Sequence, residues 1–225
     1  MSKLVLTSGS LHDIAHGVSI QVPELLASNG LVWGPGDAGN IVTQPGQLDY
    51  YEWYYAYGRL LAPKRIVEIG VYGGGSVALV CLGAVNPPAL IELIDNESYG
   101  SSLAEVSERL RKIAPECLIV AIPEDSQRLA ELPVPAEGRF DLVSIDGDHR
   151  VGPCYHDLRI TLPHLTQDGH ILVDDARYPW VRDAVTAFVA DHPELHEIYV
   201  ETFTGTSILH RENHIDRCPL LSAAS

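Results

Sequence analysis

The chain is poor in cations, in cysteine and in long apolar runs. Lys and Arg number 15 against 30 Asp and Glu, a formal net charge of −15 over 225 residues. A phosphate backbone is met by clustered cations, so nucleic acid is excluded as an expected partner. The four cysteines, Cys81, Cys117, Cys154 and Cys218, show no CxxC or short Cys/His spacing. That excludes a disulfide framework and a structural zinc site, and fits free thiols in a reducing compartment. No run is long and charge-free enough to cross a bilayer, and residues 1–19 lack a continuous apolar signal core. A soluble cytoplasmic protein with no membrane partner is expected. No repeat and no Ser/Pro-rich linker divides the chain, so residues 1–225 are expected to form a single domain.

What is present is punctuation and periodicity. The 19 Gly and 15 Pro follow no period and read as turns in a chain that is 46% hydrophobic. Short apolar runs occur at Arg65 to Ile69, Leu90 to Ile94, Leu118 to Ile122, Phe140 to Ile145 and His170 to Val173. Helical stretches such as SVALVCLGAV, SLAEVSERLRKI and CYHDLRITLPHL lie between them. Runs without period-two alternation suit parallel strands covered on both faces. After the helix PWVRDAVTAFVADHP, the segment HEIYVETFTGTSILHR reads as two strands around a turn at Gly205. The fold class is therefore α/β: a doubly wound, mostly parallel, seven-stranded sheet closed by an antiparallel hairpin, with residues 64–210 as its core.

Residues 1–63 read as a helical cap or lid. Ser10 is placed to cap a helix, with Leu11, Ile14, Ala15 and Val18 on one face. His12 and His16 are four apart, but with no intervening Glu and no third ligand they read as a solvated helix face. The loop NGLVWGPGDAGN around Trp33 and the helix LDYYEWYYAYGRLL are expected to act as a lid or as the interface of a homo-oligomer, with core packing the simplest role for most of the tyrosines.

Ligands of doubly wound sheets bind beyond the carboxyl ends of the strands. The first such end is VEIGVYGGGS, whose glycines permit a tight turn and close approach of backbone to a cofactor. Gly73, Gly75 and Ala78 form a GxGxxA spacing, and Asp95 follows Gly75 by 20 residues, so a nicotinamide dinucleotide remains a competing cofactor. Glu68 inside the last turn of the strand favours a ligand bearing an amino group over a pyrophosphate. Asp95, ending IELIDNE, is placed to accept from ribose hydroxyls under either reading. The strand ends SIDGDHR and LVDDAR bring Asp146, Asp148, Asp174 and Asp175 together, and crowded carboxylates call for a cation or a proton. Oxygen ligands favour a hard ion such as Mg²⁺, with Mn²⁺ or Ca²⁺ as alternatives.

In this order along one winding, the motifs resemble those of class I S-adenosylmethionine-dependent methyltransferases. The likeness is to the metal-dependent O-methyltransferases similar to catechol O-methyltransferase and the macrolide-sugar enzymes. The resemblance implies a Rossmann-like methyltransferase fold and an ExGxxxGxS loop, here Glu68, Gly70, Tyr72, Gly74 and Ser76, around the methionine end of S-adenosylmethionine. It further implies Asp95 at the ribose, Asp125 and Ser126 along the adenine, and Asp146 beside the cofactor. Mg²⁺, or another hard divalent cation, would be held by Asp146, Asp174 and Asp175. His149 is implied as the general base, because a neutral imidazole takes a proton near pH 7. The implied acceptor is a hydroxyl of a small molecule, such as a catechol or a vicinal sugar diol. Arg150, Arg177, Tyr178 and Trp180 are candidates for the acceptor wall. Three alternatives stay open: a metal-independent methyltransferase, a nicotinamide-dependent oxidoreductase, and a binding protein that holds the nucleoside without turnover.

Overall fold

A computed structural model describes residues 4–6, 50–100, 102–133 and 138–211. The helix expected from Ser10, the His12/His16 pair, the Trp33 loop and Cys218 lie outside the described residues. The elements in chain order are β1 (Leu4–Leu6), α1 (Tyr50–Leu61), β2 (Arg65–Ile69), α2 (Gly75–Gly83), β3 (Leu90–Ile94), α3 (Leu103–Ile113) and β4 (Leu118–Ile122). They continue with β5 (Phe140–Ile145), α4 (Val151–Thr161), β6 (Leu165–Val173), α5 (Pro179–Asp191), β7 (Leu195–Val200) and β8 (Thr206–Arg211). No helix among the described residues is long and apolar enough to cross a membrane.

One sheet runs in the order β1-β7-β8-β6-β5-β2-β3-β4. Only β8 runs against its neighbours, pairing antiparallel with β6 and β7. The seven strands expected from the sequence are all present, and β1 adds an eighth, parallel to β7. Three residues of LVL carry too little pattern to announce a strand. The β6 strand also begins earlier than its apolar run, at Leu165 rather than His170. Its first half, Leu165 to Gly169, is polar after the first residue, and a register shift against β5 between Phe140 and Leu142 takes up the extra length.

Both faces of the sheet are covered, which is why the central strands carry no alternation. Trp53, Tyr54 and Tyr57 of α1 pack with α2, α3 and sheet residues such as Ile66, Ile91 and Leu93. Leu158 of α4 and Val185 and Phe188 of α5 cover the other face over Val67, Val143 and Ile171. The three α1 aromatics are 0–1% exposed and serve as core. Helix α3 is started by a capping box in which Ser102 and Glu105 satisfy each other's backbone N–H groups.

Glu92 breaks the apolar pattern. It is fully buried in β3, in register between Val67 and Val120, and neither carboxyl oxygen has a hydrogen-bond partner among the described residues. Burial pushes its pKa up to about 7 from 4.5. The folded state therefore binds the proton more tightly than the unfolded chain, and stability is lost as pH rises from about 4.5 through about 7. A shift of this size corresponds to about 3 kcal/mol above pH 7. Glu92→Leu is expected to raise Tm by roughly 5–10 °C at pH 8 and by little at pH 5. An equal change at both pH values in thermal melts would show that the carboxyl is not the destabilising element.

Candidate active site

The strand order reverses between β2 and β5, so the connections that leave them diverge and open a crevice there. A cavity of about 600 Å³ fills it. Its wall is built from the turns that follow β2, β3, β4, β5 and β6.

The turn after β2 depends on two glycines. Gly70 has φ +81°, and a Cβ there would lie 2.1 Å from the carbonyl oxygen of Asp146, so only glycine lets the β2 and β5 ends meet. Gly74 has φ +72°, and a Cβ there would lie 2.4 Å from Cγ1 of Val106 on α3. Asp95 holds this turn from the neighbouring strand. Its Oδ2 accepts from the N–H groups of Val71 at 2.7 Å and Tyr72 at 3.2 Å, while Oδ1 accepts from Glu97 N–H at 2.6 Å. An ionised carboxylate has about four acceptor positions, which leaves capacity for a ligand hydroxyl.

The nine residues expected around the cofactor fall into two groups. Gly70, Tyr72, Asp95, Asp125, Ser126 and Asp146 line the cavity. Glu68, Gly74 and Ser76 do not belong to its lining and lie in the layer behind it. Glu68 is fully buried on the α2 face of β2, where its Oε1 accepts from the Ser76 hydroxyl. Burial raises its pKa to about 8, with the Asp146 and Asp95 charges adding to the shift. It thus ties the start of α2 to β2 beneath the glycine turn through Oε1, while Oε2 is buried with no hydrogen-bond partner among the described residues. The parity of the strand is the reason: Ile69 takes the opposite face from Glu68.

Across the cavity stand Asp146 after β5 and Asp175 after β6, with His149 between them. His149 Nε2 lies 3.0 Å from Asp175 Oδ2 and 3.4 Å from Asp146 Oδ1. One ligating atom from each of the three side chains lies within 4.8 Å of the others. Burial raises the pKa of Asp146, and burial with the Asp146 charge raises that of Asp175 to about 6. The bond to Asp146 raises the pKa of His149, and the Asp175 and Asp174 charges add to it.

Of the expected ligand set, Asp146 and Asp175 fall in this group and Asp174 does not. Asp174 Oδ1 instead accepts from the Thr204 hydroxyl at 2.9 Å, in the β7–β8 turn. Asp175 adopts φ +55°, a left-handed conformation that non-glycine residues seldom hold, and the two neighbouring carboxylates serve different partners. The β7–β8 turn braces this bend through Ala176 N–H to Gly205 O at 2.8 Å and Arg177 N–H to Thr204 O at 2.9 Å. Asp148 is also drawn off: the Arg150 guanidinium donates to both its oxygens and lowers its pKa.

Of the candidate acceptor residues, Tyr178 stacks on His149 with ring centroids 6.2 Å apart and planes 12° apart. Tyr178 and Trp180 are exposed, Arg150 reaches the cavity, and Arg177 donates to the Thr202 carbonyl at 2.9 Å. Sequence reasoning missed Gln127 in the cavity wall and Asp157 behind it. The two are 30 residues apart, a separation that matches no spacing rule, and only the docking of α4 brings them together.

A family model described as a methyltransferase domain matches residues 67–176. No curated protein matches the chain. Among solved structures, the S-adenosylhomocysteine-bound methyltransferase PaMTH1 of Podospora anserina is 17% identical with a TM-score of 0.61, over 91% of this chain and 95% of that one. The O-methyltransferase TomG of Streptomyces achromogenes, in complex with S-adenosylmethionine, is 16% identical with a TM-score of 0.63, over 91% and 96%. CalS11, a TDP-rhamnose 3'-O-methyltransferase of calicheamicin biosynthesis, is 17% identical with a TM-score of 0.53, over 91% and 92%. The strand order, the glycine turn and the match of residues 67–176 to a methyltransferase domain agree, and the chain has the class I, Rossmann-like methyltransferase fold.

Proposed function

We propose that the protein transfers the methyl group of S-adenosylmethionine to a hydroxyl oxygen of a small molecule, with a divalent cation at Asp146 and Asp175. The observation that carries this reading is a single cavity with the glycine turn and Asp95 on one side and the Asp146, His149 and Asp175 side chains on the other. Similarity to enzymes described as O-methyltransferases, one of them acting on a nucleotide-linked sugar, supports the oxygen acceptor. A vicinal diol or catechol suits the site, because its second oxygen has a place beside the first.

The donor set fits a cation. Two carboxylates whose pKa values are raised by burial and crowding gain most from a positive charge, and oxygen donors select Mg²⁺ or Mn²⁺. When bound, such an ion lowers the pKa of a hydroxyl and stabilises its developing negative charge. The rest is done by the chain's own residues. The turn held by Gly70 and Asp95 would hold the methyl donor, which would supply a methyl carbon open to in-line displacement by the acceptor oxygen. The C–O bond forms as the C–S bond breaks, and the bonding pair stays on sulfur as a neutral thioether. The hydroxyl proton passes to Nε2 of His149, where the Asp146 and Asp175 carboxylates stabilise the imidazolium.

Calorimetric titration tests this reading. The cation-stripped protein is expected to bind S-adenosylhomocysteine and not NAD, and to show a separate Mg²⁺ heat. Methylation of a catechol and sugar-diol panel should stop on chelation and return with Mg²⁺ or Mn²⁺. Full turnover after exhaustive chelation would remove the cation from the reading, and binding of NAD alone would restore the dinucleotide alternative.

A further inference from the structure

The cavity is lined by six carboxylates, those of Asp95, Glu124, Asp125, Asp146, Asp148 and Asp175, against one arginine, Arg150, and the imidazole of His149. A divalent cation, the net positive charge of S-adenosylmethionine and Arg150 do not cancel all six. His149 stands between Asp146 and Asp175. Arg150 is engaged by Asp148: its Nε donates to Oδ1 and Oδ2 at 2.9 Å, Nη2 donates to Oδ2, and its backbone N–H donates to Oδ1 at 3.0 Å. Arg150 is also the residue that caps the start of α4. A guanidinium fork and a backbone N–H at a helix N-terminus are groups suited to receive a phosphate or a carboxylate. Here a side chain of the protein meets both. Outside the cavity lining, Arg177 is exposed and donates to the Thr202 carbonyl, and Arg182 on α5 donates to Glu197 and Ser207. The rest of the sequence supplies few cations. From Leu4 to Gly58 there is neither Lys nor Arg, and outside the described residues the only ones are Lys3 and Arg217.

We propose that the acceptor enters this cavity as an uncharged or amine-bearing hydroxyl compound, and that Asp148 determines this specificity by occupying the groups of Arg150 that an anionic acceptor would use. The inference rests on the O-methyltransferase reading for the reaction and goes beyond it in the charge of the acceptor. Like charges in a cleft with low-dielectric walls repel over several ångströms, so a carboxylate or phosphate on the acceptor is penalised and an ammonium group is favoured. A nucleoside diphosphate carries more negative charge still. A sugar acceptor therefore comes to this enzyme after a glycosyl transfer has removed its nucleoside diphosphate, unlike the substrate named for CalS11, TDP-rhamnose.

The test compares 3,4-dihydroxyphenylethylamine, 3,4-dihydroxyphenylethanol and 3,4-dihydroxyphenylacetate, which share one diol and differ in the charge of the tail, and sets a methyl rhamnoside beside TDP-rhamnose. Each is measured as kcat/KM with S-adenosylmethionine and Mg²⁺, and as calorimetric binding to the S-adenosylhomocysteine complex. The amine is expected to exceed the carboxylate by roughly tenfold or more at low ionic strength, with the alcohol between them, and the rhamnoside to exceed TDP-rhamnose by at least as much. The ratios should shrink as salt rises to about 0.5 M, and ratios indifferent to salt would assign the preference to shape and overturn the inference. In Asp148→Asn the amine-to-carboxylate ratio should fall by roughly threefold or more, because one negative charge is gone and Arg150 is released. A purely structural Asp148 would lower all three compounds together and keep the ratio, which refutes its assigned role. Should Asp148→Asn fail to fold, Arg150→Gln decides: a loss beyond about tenfold confined to the anionic compounds would show that Arg150 already receives them and overturn the inference. A wild type that uses the carboxylate or TDP-rhamnose as well as the neutral partner refutes the charge selection and leaves the O-methyltransferase reading standing. Methylation of none of these compounds refutes that reading and the inference with it.

Discussion

Asp146→Ala is expected to reduce methyl transfer by roughly a thousandfold or more while S-adenosylhomocysteine affinity changes by less than about tenfold. The asymmetry follows from how Asp146 is built into the site. Its backbone supports the cofactor turn: the N–H donates to the Ile69 carbonyl at 2.8 Å, and its own carbonyl packs against Gly70. Alanine keeps all of that. What alanine removes is one of the two carboxylates facing His149, and with it the charge that a cation at this place requires. Isothermal titration of Mg²⁺ into the variant should show no heat, and turnover within tenfold of the wild type would refute the assignment. The same experiment separates the neighbouring acids. Asp175→Ala should lose the Mg²⁺ heat, because its Oδ2 faces His149 at 3.0 Å. Asp174→Ala should keep more of it than Asp175→Ala does, because Asp174 Oδ1 already accepts from Thr204.

That contrast marks where the sequence stops being informative. The acids after strands β5 and β6 are legible because strand ends in a doubly wound sheet point to one crevice. Which member of an Asp-Asp pair turns inward depends on the φ of +55° at Asp175 and on the bracing turn around Gly205, and no spacing encodes either. Glu68 shows the same limit. The ExGxxxGxS pattern identifies the turn, but strand parity decides that Glu68 faces α2 and Ser76 rather than the cavity. Gly70 is the opposite case, since a tight turn after a strand announces its glycine directly. Strand β1 and the polar first half of β6 escaped because they carry no apolar run, and pairing alone makes them strands. Gln127 and Asp157 escaped because their contact exists only once α4 has docked.

His149→Ala is expected to lower kcat by about 10²–10⁴-fold, the usual contribution of a positioned base, with little effect on cofactor binding. Its pH signature distinguishes it from Asp146→Ala. A base acts when neutral, so wild-type turnover must fall as pH drops through the pKa of His149. The hydrogen bond to Asp146 raises that pKa above the usual 6.5, and the Asp175 and Asp174 carboxylates raise it further. In the cation-free protein the imidazole resonances of His149 should therefore titrate above pH 6.5 by NMR. A cation at Asp146 and Asp175 draws on the same negative charge, so adding Mg²⁺ should move the imidazole titration to lower pH. Removing Asp146 takes away the largest upward contribution and should move it the same way without the cation. In His149→Ala this fall in turnover at low pH should vanish, leaving a residual rate that rises only as the acceptor hydroxyl itself ionises. A fall that survives at the wild-type pH would assign the proton transfer to another group, and Tyr178, stacked on the same imidazole, would then be the next side chain to replace.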